Sequence, residues 1–159
     1  AAGVVIHGSG DFDKDGLDDL AVTSGGNVSL LLSLPGGNYT TTALGAMPTG
    51  STLMGAEDIN GDGSRDLVFV NATTGAVTVW FMQDAVHKTT ASWTLPAGEI
   101  LVGLGDFDGD GHSDVLTENQ ARHLSFWSPL PSGTFSEESI GLDSPTAAFV
   151  PTRWSGVAA

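Results

Sequence analysis

The chain has 159 residues, 40% of them hydrophobic, with 22 glycines, no cysteine, and 19 acidic side chains against 5 basic ones for a formal net charge of −14. That length fits one domain able to bury a core, and the lack of cysteine removes disulfides, thiolate catalysis and cysteine-ligated zinc. The acidic excess excludes phosphate-backbone binding, which needs clustered Lys and Arg, so nucleic acid is not an expected partner. No apolar run approaches the ~20 residues that span a bilayer, and the first residues lack the basic start and apolar centre of a signal peptide. Membrane insertion is not expected, and the chain reads as soluble.

In chain order, the sequence repeats itself. Gly3 to Asp11, Gly50 to Asp58 and Gly98 to Asp106 share one apolar pattern and start 47 and 48 residues apart. Each runs into an acidic loop: Asp11-Phe-Asp13-Lys-Asp15-Gly16-Leu17-Asp-Asp19, Asp58-Ile-Asn60-Gly-Asp62-Gly63-Ser64-Arg-Asp66, and Asp106-Phe-Asp108-Gly-Asp110-Gly111-His112-Ser-Asp114. A second apolar strand follows at once (Leu20–Val22, Leu67–Val70, Val115–Thr117), and after a polar turn a third (Val28–Leu32, Val77–Met82, Leu124–Trp127). A weaker fourth lies around Tyr39–Ala43, Thr89–Leu95 and Phe135–Ile140. Alternation and β-branched residues favour strand over helix throughout.

The expected fold is therefore all-β, a single domain over 1–159 built from three repeats at about 3–49, 50–97 and 98–143. Four short strands in under 50 residues describe one blade of a β-propeller, and a sandwich or solenoid of the same hairpins is the alternative. The tail 144–159, with Ala147-Ala148-Phe149-Val150 in the apolar slot, reads as an extra first strand with no acidic loop behind it.

The loops carry the chemistry. Positions 1, 3 and 5 are Asp or Asn, alternate side chains that a short loop can turn inward on a hard cation, and Gly at position 6 permits the turn. Position 7 varies (Leu17, Ser64, His112), as suits a ligand offered through its backbone carbonyl; position 9 is Asp in all three (Asp19, Asp66, Asp114) and closes the shell. An EF-hand would have Glu at position 12 and a following helix; here Val22, Phe69 and Thr117 stand in strands. An Asp-Gly surface turn explains one such loop, whereas three at fixed offsets point to calcium. Two carboxylates ~4 Å apart repel by about 4 kcal/mol at an effective dielectric near 20, so the loops call for a cation. Mg²⁺ prefers a rigid, part-hydrated octahedron, and all-oxygen ligation disfavours zinc. Three Ca²⁺ are expected.

The segment Gly105-Asp-Phe-Asp-Gly-Asp-Gly-His-Ser-Asp-Val-Leu116, with its two relatives, resembles the FG-GAP or VCBS-type repeat, whose members include blades of integrin α-subunit propellers, propeller lectins and secreted bacterial proteins. The resemblance implies Ca²⁺ on Asp11, Asp13, Asp15, Asp19 and their counterparts, in the hairpin joining the first two strands of each blade. Three blades fall short of the usual propeller range, so a partial propeller, part of an oligomeric ring, or part of a longer chain is implied. The four histidines fall at unrelated repeat positions, no nucleophile, base and orienting group stand together, and enzymatic activity is not expected. Trp80 and Trp127 share a third-strand position where the first repeat has Leu31, which favours blade packing. Trp93 and Trp154, in segments read as loop-like, are the candidates for an exposed ligand face. The function expected is an extracellular or cell-surface recognition and adhesion module binding glycans or proteins. The alternative is a non-binding structural module appended to a larger secreted enzyme or surface protein.

Overall fold

The computed structural model describes residues 3–130 and 134–140, so the tail strand expected over 144–159 lies outside the described residues. Among the described residues, twelve strands form three four-stranded antiparallel sheets, each in simple sequential order. Blade 1 contains β1 (Val5–Gly10), β2 (Asp19–Ser24), β3 (Asn27–Leu34) and β4 (Asn38–Ala46). Blade 2 contains β5 (Thr52–Glu57), β6 (Asp66–Asn71), β7 (Ala76–Gln83) and β8 (Val86–Thr94). Blade 3 contains β9 (Ile100–Gly105), β10 (Asp114–Glu118), β11 (Leu124–Pro129) and β12 (Phe135–Ile140). The described residues contain no helix. Sequential meanders stacked face to face, with β1 beside β5 and β5 beside β9, are propeller-like blades whose first strands lie innermost.

Blade 2 shows why its strands read as continuous apolar runs. Successive residues of a strand point to opposite faces. Leu67, Phe69, Trp80 and Met82 therefore pack against Phe12, Ala21, Val28, Leu30 and Leu32 of blade 1. Val68, Val77, Val79 and Phe81, on the other face, pack against Leu101, Val115 and Trp127 of blade 3. A sheet buried on both faces has no polar side to offer, which is why alternation fades in Leu67–Val70. Trp80 lies in the first of these cores, as its exchange for Leu31 in blade 1 suggested.

Each innermost strand carries a β-bulge at the same repeat position, leaving His7, Met54 and Val102 as the extra residue opposite the second strand. In blades 1 and 2 the glycine that follows the bulge lets the next blade approach. A Cβ on Gly8 would lie 3.3 Å from both Cβ and N of Ala56, and one on Gly55 would lie 3.2 Å from Leu104 Cδ1. The bulges and glycines give the inner strands their close approach around the axis. The acidic loops fall where β1 turns into β2, β5 into β6 and β9 into β10, so all three open at the same end of the blades.

Candidate metal centre

Each loop is held by its own side chains. The position 1 carboxylate accepts two amides, at 2.6–3.1 Å: Asp15 N and Gly16 N on Asp11, Asp62 N and Gly63 N on Asp58, Gly109 N and Gly111 N on Asp106. The position 3 side chain accepts the position 5 amide, on Asp13 at 3.2 Å, Asn60 at 3.1 Å and Asp108 at 3.0 Å. The position 5 carboxylate accepts the position 7 amide, from Leu17 at 2.8 Å, Ser64 at 2.7 Å and His112 at 2.8 Å. Successive side-chain-to-amide turns of this kind curl the chain so that its ligand-bearing side chains face one centre. Two positions need a left-handed backbone. Position 6 is always Gly (φ 88°, 83°, 90°), and position 4 is Gly61 (71°) and Gly109 (81°) but Lys14 (64°) in the first loop. Position 4 went unmarked in the sequence, although Gly in two of the three copies is a readable signal for it.

Position 9 does more than offer oxygens to an ion. Asp19, Asp66 and Asp114 are fully buried, and both carboxylate oxygens of each are engaged. Asp19 accepts Phe12 N (2.9 Å) and Ser33 N (2.8 Å); Asp66 accepts Ile59 N (3.0 Å) and Met82 N (2.9 Å). Asp114 accepts Phe107 N (2.8 Å) and Ser128 Oγ (2.6 Å). The carboxylate thus staples the loop to the third strand of its blade. Burial pushes the Asp66 carboxyl up to about 7, against the pull of its two amides, with Asp62 and Asp58 adding repulsion. Burial likewise raises Asp114, opposed by Ser128 and Phe107, and Asp13, where the carboxylates of Asp19, Asp15 and Asp11 add to it. These shifts have one sense and one leading cause: burial disfavours the charged carboxylate, and the neighbouring carboxylates add a smaller push in the same direction.

The oxygens gather as a cation would need. Asp11, Asp13 and Asp15 each place a carboxylate oxygen within 4.8 Å of the others, and so do Asp106, Asp108 and Asp114. Two ligands on opposite sides of one Ca²⁺ stand about twice 2.3–2.6 Å apart, so these groups fit a shared ion. In the middle loop Ser64 Oγ is buried without a partner, an oxygen left for a cation or its water. The donor set is entirely oxygen, as a hard ion requires. Of the expected ligands, Asp19, Asp110 and the four residues Asp58, Asn60, Asp62 and Asp66 are not in such a three-carboxylate group among the described residues.

Residues 58–117 match the family model of the FG-GAP-like repeat. The chain therefore carries an FG-GAP-type repeat. No curated protein and no solved structure matches it. The matched stretch runs from the first residue of the middle loop to the strand after the third. The Asp11–Asp19 loop lies outside it, yet reproduces the same side-chain-to-amide bonds.

The aromatic candidates are placed differently from expectation. Trp93 is in strand β8 rather than a loop, because its register with Val77 extends the β7–β8 hairpin to that point. Its ring stacks on Phe135 at 3.9 Å and lies 6.2 Å from Trp127, in the junction of blades 2 and 3, half-buried. Trp154 lies outside the described residues. The open concavity beside Trp93 is instead a cleft of about 510 Å³ with Phe81, Phe135, Pro129 and Leu130 as its apolar lining and Asn60, Asp110 and His112 at its loop end. No repeat signal marks this cleft, because its walls come from two blades that only folding brings together.

Proposed function

We propose that the chain is a calcium-stabilised, extracellular recognition module whose FG-GAP-type loops each take one Ca²⁺. The observation that carries the reading is the convergence of three carboxylate oxygens within 4.8 Å in two separate loops built on the same hydrogen-bond plan. Asp11, Asp13, Asp15 and Asp106, Asp108, Asp114 would hold ions directly, with Asp58, Asn60, Asp62 and Asp66 as the corresponding set in the middle loop. A bound ion offsets the carboxylate repulsion and locks the loop that joins the first two strands of each blade. Because unfolding scatters the ligands, binding adds to stability by about 2.7 kcal/mol per site at 100-fold saturation. Isothermal titration with Ca²⁺ and Mg²⁺, alongside melting of metal-stripped and calcium-loaded protein, tests this. Heat from Ca²⁺ with a raised melting midpoint is expected, and an unchanged midpoint without binding heat overturns it.

The ligand of the module is proposed to be a glycan or an extended protein segment. The blade 2–3 cleft supports this, since an apolar aromatic lining with a polar end suits the mixed faces of a sugar ring. A glycan array probed with and without Ca²⁺ tests it. Binding lost with chelator is expected; no binding in either arm leaves the structural-module alternative.

A further inference from the structure

The three loops differ in charge and in what their neighbours lend them. The first holds five carboxylates against Lys14, the third four and no cation, but the middle loop only three, its Arg65 being paired with Glu57 just before the loop. Asn60 replaces a carboxylate at position 3, and its amide donates to Asp62 Oδ2 at 3.1 Å, engaging an oxygen that an ion would otherwise have. Lys14, from the first loop, reaches across the blade boundary and donates through Nζ to the Asp62 carbonyl at 3.2 Å. From the other side, Ser113 N of the third loop donates to the Asp58 carbonyl at 2.8 Å, and a Cβ on Gly61 would overlap the His112 ring. The middle loop is thus gripped from both sides and already carries a cation of the chain's own.

We propose that the middle loop is a deliberately weak calcium site, set by Asn60 and by the Lys14 ammonium lent from the first loop, and that it fills only after the other two. This rests on the calcium reading above. A unit positive charge one side-chain contact from a divalent ion opposes it even at the dielectric of water, by about tenfold in affinity. Losing one ligand carboxylate acts in the same direction. Lys14 holds a left-handed backbone where the other loops use Gly, a conformation that L-residues disfavour. The first and third loops have no comparable donor from a neighbour on a position 5 carbonyl among the described residues.

Equilibrium dialysis of the full chain against graded free Ca²⁺, for wild type, Asn60→Asp and Lys14→Gln, tests the ranking. Wild type should take two ions first and a third at about tenfold higher free calcium. Asn60→Asp should move the third step toward the other two and leave them in place. Lys14→Gln should move the third step by several-fold and the first two by less. Three ions in one step for wild type would overturn the inference while leaving the calcium reading intact. No bound calcium in any of the proteins overturns both. Equal movement of all steps in Lys14→Gln assigns the lysine to its own loop and removes the cross-loop effect. Circular dichroism on each variant checks that all three proteins are folded, and both substitutions are at exposed positions.

Discussion

Buried Asp19 accepts two backbone amides, one on each carboxylate oxygen, an arrangement a side-chain amide cannot copy. In Asp19→Asn the side-chain NH₂ must face Phe12 N or Ser33 N, leaving one buried donor unpaired. We expect a loss of about 2 kcal/mol by urea unfolding, with or without Ca²⁺, because hydrogen bonds to charged acceptors contribute about 1.5–3 kcal/mol. Asp13→Asn, at a more open position, should cost little in stripped protein and more in loaded protein. Asp66 adds a pH test. Its folded pKa, about 7 without metal, lies above the ordinary carboxylate value of 3.8. Between those values the native state binds more protons than the unfolded state, so this group makes stability fall as pH rises from about 4 to 7. Metal-stripped protein should therefore melt higher at pH 5 than at pH 7, and calcium-loaded protein should not, because the ion favours the ionised form. Melting scans across that window check both signs. The ligand alternation at positions 1, 3 and 5 was legible because one loop's spacing contains it. The staple role of position 9 was not, because its amide partners in Ser33 and Met82 stand 14 and 16 residues away on the third strand.

At the scale of elements, strands and loops were legible because the pattern is written three times, so chance resemblance in one copy is corrected by the others. The observed strands mostly run one to three residues beyond the expected ones, since pairing continues past the apolar core of each strand. The inner-strand bulges were not legible. They break alternation at His7, Met54 and Val102, residues with no shared chemistry, and only the pairing reveals them. Their glycines give a comparison within one molecule. Gly8 meets the backbone of Ala56 at 3.3 Å, whereas Gly103, the same repeat position in blade 3, meets only Leu116 of its own blade, at 3.7 Å. Gly8→Ala should destabilise by about 1 kcal/mol, since overpacking against backbone is not relieved by a rotamer change. Gly103→Ala should be neutral or stabilising by about 0.5 kcal/mol, because alanine narrows the unfolded ensemble. Denaturant midpoints of the two variants, read side by side, check the difference.

For the whole molecule, blade count and propeller-like stacking could be inferred from the repeat, while the condition of the outermost faces could not. The loop residue at position 2 reports it. Phe12 and Ile59 are both 0% exposed because the next blade covers them, but Phe107 at the same position is 43% exposed. Phe107 and Phe126, 6.5 Å apart, stand with Leu116 on the face of blade 3 that points away from blade 2. At the opposite end, half-buried Leu20 and Leu31 pair on the outer face of blade 1. In the interior these two kinds of face meet each other, as Ile59 and Val68 of blade 2 meet Val115 and Trp127 of blade 3. A second copy placed with blade 3 against blade 1 repeats that contact, and two such contacts close a ring of six blades. Burying the 43% of Phe107 that is still exposed would contribute about 1 kcal/mol at each junction. Light scattering should accordingly give a mass of twice 16.3 kDa for the chain. Phe107→Asp puts a charge into that junction and should return the protein to its monomer mass without altering blades 1 and 2. A wild-type monomer that stays dispersed at high concentration would show that the face is covered from within the chain, and Phe107→Asp would then lower stability instead of mass.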